Sequence, residues 1–351
     1  MAQLRLHLKP LGHPSICGLY LLFLSQTLCS VNLIFLIFYF LCVLILLQPL
    51  KRRVFQKEDF LILPKVINTA KSAGFCYGVK KAVETAKKLK ADNPTKNIYI
   101  LGALIHNSQV INELEALGIH TVDKLPENPE NAICIIRTHG EAPEVIDEIK
   151  SMGYEVVDLT CPDVKKVQMK GVDLAKDGFH VVIIGKENHP EVIAIRANIL
   201  KISKNVYVIN SLEDVEKCSA ILRNKKIGVV IQTTQPLNHV QPIIFKLQEL
   251  SQELKIENTI CPSTRNRQKE AAELAQNSDL MVVIGSKESA NTTHLAHLCS
   301  EITKTIHIET SDEIENYMDL IKNSNTISVT AGASTPKSLI DSVLTKIEKG
   351  E

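Results

Sequence analysis

Three cysteines, Cys76, Cys161 and Cys261, stand where an apolar, strand-like run gives way to a basic, helix-like one: "VINTAKSAGFCYGVKKAVETA", "DLTCPDVKK" and "KIENTICPSTRNRQKEAAELA". A thiol at such a junction meets free N–H groups and the positive end of a helix dipole. Lys80 and Lys81, Lys165 and Lys166, or Arg265 and Arg267 follow close behind. Those surroundings are expected to lower the thiol pKa and favour the thiolate, the form that binds metal. Three thiolates without a fourth suit an iron–sulfur cluster with one iron left open, or zinc with one open position. Either leaves a Lewis acid free for chemistry. Cys134, Cys218 and Cys299 read instead as small apolar fillers.

Six loops between these cysteines are polar in a selective way. They are "LIHNS" with His106 and Asn107, "RTHGEAP" with His139, "GKENHPEV" with His189 and Glu191, "IQTTQP" with Thr233 and Thr234, "GSKESANTTH" with Ser289 and Asn291, and "AGASTP" with Ser334 and Thr335. Each follows a predicted strand and precedes a helix. Imidazole, hydroxyl, amide and helix-start N–H groups together are the set that holds a diphosphate. Any one residue of the set is explained as well by helix capping; the convergence of six loops is what makes a site. Glu191 is the carboxylate at a conspicuous place among them, and a carboxyl group there can deliver protons.

The elements that must position these groups alternate short apolar strands with amphipathic helices after Pro64, the signature of parallel α/β units. The order recurs from each cysteine to the next, so the repeat lies in element order and not in identity. The third unit ends on a helix without a closing strand, whereas "PKVINTAK" before Cys76 belongs to no complete unit. Pairing that strand into the third lobe closes three lobes into a ring with the cysteines at its middle. The predicted division is lobe 1 at 77–160, lobe 2 at 161–260, and lobe 3 at 64–76 plus 261–346. Ligands from three lobes on a pseudo-threefold axis favour the cluster, because zinc sites more often draw ligands close in sequence.

The 351 residues are 45% apolar and 23% charged, enough for a sizeable core, and a net charge of +1 gives no reason to expect nucleic acid. Nine cysteines without C-x-x-C pairs point to a reducing compartment, here the cytoplasm. Residues 1–63 differ from the rest. "VNLIFLIFYFLCVLILL" at 31–47 with its upstream flank is long enough for one membrane helix, giving membrane contact through 16–50, and "KRR" behind it keeps the catalytic region cytoplasmic. The competing reading of 1–63 is an over-extended reading frame.

Residues 64 to about 346 resemble the 4-hydroxy-3-methylbut-2-enyl diphosphate reductase family, the last enzyme of the non-mevalonate isoprenoid route. The resemblance rests on "GFCYGVKKAV", "HN", "THG", "DLTCP", "HPEV", "QTT", "TRNRQ", "GSKESAN" and "TAGAS" in that order. It implies three α/β lobes around one 4Fe-4S cluster bound by Cys76, Cys161 and Cys261. It further implies that His106, His139, His189, Ser289, Asn291 and Ser334 hold the substrate's diphosphate, that Thr233 and Glu191 handle the hydroxyl and protons, and that a ferredoxin or flavodoxin is the reductant. Where the family commonly has Asn-Ser-Ser-Asn, this chain has Glu288, Ser289, Ala290 and Asn291, a change expected to weaken substrate binding. Two rivals are another three-cysteine 4Fe-4S enzyme such as quinolinate synthase, and a non-catalytic, zinc-stabilised, membrane-anchored protein. "HPEV" and "TAGAS" argue against the first. A nicotinamide enzyme is excluded for want of G-x-G-x-x-G after the strands.

Overall fold

A computed structural model describes residues 65–127 and 129–350. The chain divides into two units, Met1–Leu63 and Pro64–Glu351. The predicted membrane helix lies outside the described residues. No described helix is long and apolar enough to cross a membrane.

Strand β1 (Val66–Thr69) leads by a turn into α1 (Tyr77–Asp92). Then come β2 (Asn97–Leu101), α2 (Ser108–Ala116), β3 (Ile119–Val122), β4 (Ala132–Ile136), α3 (Pro143–Ser151) and β5 (Glu155–Asp158). The order repeats through α4 (Pro162–Lys176), β6 (His180–Ile184), α5 (Pro190–Leu200), β7 (Val206–Ile209), α6 (Leu212–Leu222), β8 (Lys226–Ile231), α7 (Leu237–Leu250) and β9 (Glu253–Ile256). A third pass gives α8 (Pro262–Ala275), β10 (Leu280–Ile284), α9 (Ala290–Ser300), β11 (Thr305–Ile308), a 3-10 turn running into α10 (Met318–Lys322), β12 (Thr326–Ala331) and α11 (Lys337–Lys349).

These strands form three four-stranded sheets, ordered β3-β2-β4-β5, β7-β6-β8-β9 and β11-β10-β12-β1. All pairings are parallel. Three of the inner strands read as almost continuous apolar runs, "AICII", "HVVII" and "LMVVI", because helices cover both faces and leave no wet side to alternate toward, whereas β12, "TISVTA", buries Ser328 and Thr330. β1 takes its place by pairing Val66 with Thr326 and Thr69 with Val329, so the strand that opens the described chain completes the last sheet.

The cysteines follow the edge strands β1, β5 and β9, but less directly than the sequence suggests. β5 ends at Asp158, with only Leu159 and Thr160 before Cys161, whereas β9 stops at Ile256 and β1 at Thr69, well short of Cys261 and Cys76. In lobe 2 the Thr259 hydroxyl replaces the ladder, accepting from Ile231 N at 2.8 Å and donating to Ile231 O at 2.5 Å. Before Cys76 the chain turns through Gly74 at φ +98°, a left-handed conformation that favours glycine.

Candidate functional site

One backbone pattern recurs in the three lobes and brings the cysteines together. Each thiol-bearing residue donates its N–H to the loop that leaves the inner strand of its own sheet: Cys161 to Thr138 O at 3.0 Å, Cys261 to Thr233 O at 3.1 Å, and Cys76 to Ala333 O at 3.1 Å. Each then caps a helix, its carbonyl accepting from Lys165, Arg265 or Lys80 four residues on. A second pattern aligns the other loops. Gly102, Gly185 and Gly285 donate to the ends of β3, β7 and β11, which makes His106, His189 and Ser289 equivalent, four residues beyond each glycine. Glu191 therefore occupies the position that Ser108 has in lobe 1 and Asn291 has in lobe 3.

Cys76, Cys161 and Cys261 line one cavity of about 110 Å³ together with His106, His139, His189, Glu191, Thr233, Thr234, Ser289, Asn291 and Ser334. Gly78 makes the close approach of two thiols feasible. A Cβ at that position would stand 2.7 Å from Cys161 Sγ and 4.0 Å from Cys76 Sγ, so only glycine leaves the sulfurs their space. Val79 N donates to Cys76 Sγ at 3.4 Å, and Thr264 supplies both its N–H, at 3.3 Å, and its hydroxyl, at 3.1 Å, to Cys261 Sγ. Cys161 has no capping bond at standard geometry, although the amides of Asp163 and Val164 face its sulfur.

For Cys161 and Cys261 the structure corrects the expected depression of the thiol pKa. Burial pushes Cys161 up to about 11 and Cys261 also upward, and it outweighs the N–H groups that pull the other way. The flanking cations do not counter it, because Lys80, Lys81, Lys165, Lys166 and Arg265 all point to solvent. Arg267 alone turns inward. Its guanidinium is fully buried and donates to Ala331 O at 2.7 Å and Gly74 O at 3.0 Å, tying the turn before Cys76 to the end of β12.

Three imidazoles face each other, with ring centroids 4.9 Å apart for His106–His139, 5.4 Å for His139–His189 and 6.5 Å for His106–His189. Burial and then their mutual repulsion push the pKa of His189 down to about 4 and that of His139 well down; burial also lowers His106. All three are neutral at pH 7. His139 Nδ1 and Asn291 Nδ2 are buried with no hydrogen-bond partner among the described residues. A buried polar atom left in this way costs about 1–3 kcal/mol, which a ligand can recover.

Glu191 is 1% exposed. Thr233 N donates to its Oε1 at 2.6 Å and Thr233 Oγ1 to its Oε2 at 2.7 Å. Burial raises its pKa to about 7, against the pull of both Thr233 bonds. His189 Nδ1 accepts from Glu191 N at 3.1 Å, so the imidazole caps α5 and the carboxyl group swings inward.

Of the residues singled out from sequence, Asn107 is placed differently. Its Oδ1 accepts from Val110 N at 3.1 Å and caps α2, and it does not line the cavity. Thr335 is also structural, donating to Ile284 O at 3.0 Å. Glu288 is exposed, though near enough to His106 to pull its pKa upward against burial. Cys134 and Cys299 are buried in apolar clusters and Cys218 packs beside one. Gly78, Thr264 and the inward turn of Arg267 escaped the sequence reading. Thr264 had a signal, a hydroxyl three residues after a capping cysteine, where the other lobes carry Val79 and Val164.

The comparisons bear on this arrangement directly. Residues 67–348 match the family model described as LytB protein. A 4-hydroxy-3-methylbut-2-enyl diphosphate reductase of Citrifermentans bemidjiense is 42% identical over 279 residues, 79% of this chain and 95% of that protein. One of Thermoanaerobacter sp. is 39% identical over 287 residues, 80% of this chain and 97% of the other. Among solved structures, (E)-4-hydroxy-3-methyl-but-2-enyl diphosphate reductase, the terminal enzyme of the non-mevalonate pathway, aligns with a TM-score of 0.62 at 35% identity over 81% of this chain and 99% of its own. The Plasmodium falciparum reductase aligns at 0.74 with 27% identity, over 80% and 87%. A model matched across all three sheets and relatives covered almost from end to end lead to one conclusion: the chain belongs to the LytB protein family.

Proposed function

We propose that this chain reductively removes the hydroxyl group of 4-hydroxy-3-methylbut-2-enyl diphosphate, giving isopentenyl and dimethylallyl diphosphate. The observation that carries the reading is Glu191, a buried carboxyl group with its pKa raised to about 7, held by Thr233 in the same cavity as three thiols and three neutral imidazoles.

Cys76, Cys161 and Cys261 would hold one 4Fe-4S cluster. The donor set supports this: three thiols from three lobes border one cavity, and Gly78 leaves space beside two of them. A single zinc ion fits less well, because its thiolates must lie about 2.3 Å from one point, and no three His, Cys, Asp or Glu side chains among the described residues group closely enough to hold one ion. When bound, a cluster with an open iron supplies Lewis acidity and electrons.

The remaining work falls to side chains. The rings of His106, His139 and His189, with Ser289, Asn291 and Ser334, hold the diphosphate; the unpartnered His139 Nδ1 and Asn291 Nδ2 support such a ligand. The substrate hydroxyl must leave as water, which takes one proton, and a second proton goes to the allylic carbon. Glu191, half protonated near pH 7 and lining the cavity beside the Thr233 hydroxyl, would supply protons. Two electrons come from outside the chain, by way of a small electron-transfer protein. The lobes on this reading are 77–160, 161–260 and 64–76 with 261–346. The six described cysteines are free thiols, in keeping with a catalytic region in the cytoplasm.

The test is a serine series read by bound iron and by turnover. Cys76→Ser, Cys161→Ser and Cys261→Ser are each expected to lose most of the iron and activity, since serine oxygen is a poorer cluster ligand. Cys134→Ser, Cys218→Ser and Cys299→Ser should retain iron. Equal losses in all six would overturn the assignment.

A further inference from the structure

The exposed lysines behind the cysteines have no task in the cavity, yet three of them line a hollow that shares Cys161 with it. Cys161 borders two spaces at once: the interior cavity, and an outer hollow of about 400 Å³ lined by Gly78, Lys81, Lys165, Lys166 and Met169. On the other side of the hollow the helices α1 and α4 present their first turns, each with a basic pair at the fourth and fifth residues beyond its cysteine. Lys165 is engaged by Asp158 at 2.6 Å, and Lys80 stands 3.9 Å from Glu84 on the exposed face. Lys81 and Lys166 make no ion pair with any described residue. Asp163 nearby accepts from Tyr77 Oη at 2.7 Å. Between these charges Met169 is left in water at 63% exposure, and Ala82, Leu159 and Pro162 also line the hollow. An apolar centre with a cationic rim is the make-up of a protein-docking surface and not of a merely solvated helix face.

We propose that this hollow over Cys161, rimmed by Lys81 and Lys166 with Met169 exposed within it, is where a small acidic one-electron carrier protein docks. The proposal rests on the reductase reading and gives it an entry point for electrons. The reaction breaks one C–O bond, forms one C–H bond and releases water, consuming two protons and two electrons. Two carrier molecules, each oxidised by one electron, dock in turn and balance it. The diphosphate side of the cavity cannot serve, because a second anion there competes with substrate for the same imidazoles. The hollow shares Cys161 with the cavity but none of its imidazoles, so a carrier docked there does not contend with the diphosphate for them. Cation-to-acid pairing of this kind speeds encounter and makes it depend on salt.

The experiment uses the full chain with its cluster loaded and a purified flavodoxin of net negative charge as the probe. Lys81→Glu/Lys166→Glu is compared with Lys204→Glu/Lys304→Glu, two exposed lysines in the loops entering β7 and β11, at the opposite ends of the strands from the cysteines. Affinity for the flavodoxin is measured by titration calorimetry at several salt concentrations, and turnover is measured with the flavodoxin and, separately, with dithionite-reduced methyl viologen. The hollow variant is expected to bind about tenfold or more weakly, with a flatter salt dependence, and to lose turnover at limiting flavodoxin while viologen-driven turnover stays within about twofold. The remote variant should match the parent. Unchanged affinity in the hollow variant, or an equal loss in the remote one, overturns the docking site. Lys81→Gln/Lys166→Gln gives the same reading in smaller measure if the reversal impairs folding. A parent chain that binds flavodoxin but reduces nothing with viologen would sink the reductase reading and leave the docking result standing.

Discussion

Glu191 breaks the pseudo-threefold arrangement: Ser108 and Asn291 hold the equivalent places, and neither can donate a carboxyl proton. Glu191→Gln keeps the size and one acceptor for Thr233, whose hydroxyl can turn to pair with the amide. Turnover is expected to fall by at least roughly a hundredfold while substrate still binds; near-normal turnover would leave Glu191 as a capping residue. The pH dependence has a definite sign. The folded chain keeps a proton on Glu191 up to about pH 7, above the ordinary 4.5, so both the active acid and the associated stability decline as pH rises across that window. Turnover should therefore have an alkaline limb near 7, and Glu191→Gln should remove that limb. The histidines supply a second check. They enter neutral, with His189 held down to about 4, and a bound anion favours their protonated forms. Diphosphate binding at about pH 6.5 should take up protons, visible in calorimetry as a heat that varies with the buffer's ionisation enthalpy. Binding without proton uptake would mean that neutral N–H groups alone hold the anion.

The helix starts decide what the site can contain. Ala usually stabilises a helix over Gly by roughly 0.5–1 kcal/mol, but the Cβ of Gly78→Ala meets Cys161 Sγ at 2.7 Å. The sulfur is the free end of a side chain and can rotate away, so the fold should survive. Gly78→Ala is expected to keep its melting temperature within a few degrees of the parent and to bind much less iron; full iron loading would show that the thiols have slack. The elements were legible because buried parallel strands are unbroken apolar runs and because proline or cysteine marks the helix starts at Cys161–Pro162, His189–Pro190 and Cys261–Pro262. Side-chain direction was not legible. Periodicity marks Lys81 and Arg267 as basic residues behind a cysteine, yet one faces water and the other is sealed under β12, a difference set by the packing of the lobes. Likewise "HNS" holds a cap and a cavity-lining ring side by side, and only the backbone geometry at Asn107 tells that the amide, not the ring, caps α2.

At the scale of the molecule, the described sheets begin at Val66. A chain started at Leu63 should fold, load iron and turn over. One started at Lys71 lacks β1, which exposes the β12 edge while the carbonyl of Gly74 loses its anchorage against Arg267. That shorter chain should melt several degrees lower and load little iron. Equal iron in both would mean that ring closure is dispensable. The closure also has a consequence in time. Asn68 and its neighbour Ser328 are 260 positions apart, and at roughly 5–20 residues per second the ribosome needs tens of seconds to make the second after the first. Throughout that interval Cys76 has no wall opposite it, and Ala333, the acceptor for its N–H, is still unmade. The lobe 1–lobe 2 half of the cradle can fold during synthesis. The third thiol joins it only once β12 has cleared the exit tunnel, so on the proposed cluster assignment delivery of iron and sulfide would be a late, essentially post-translational event, and a stalled or truncated nascent chain would carry unprotected thiols.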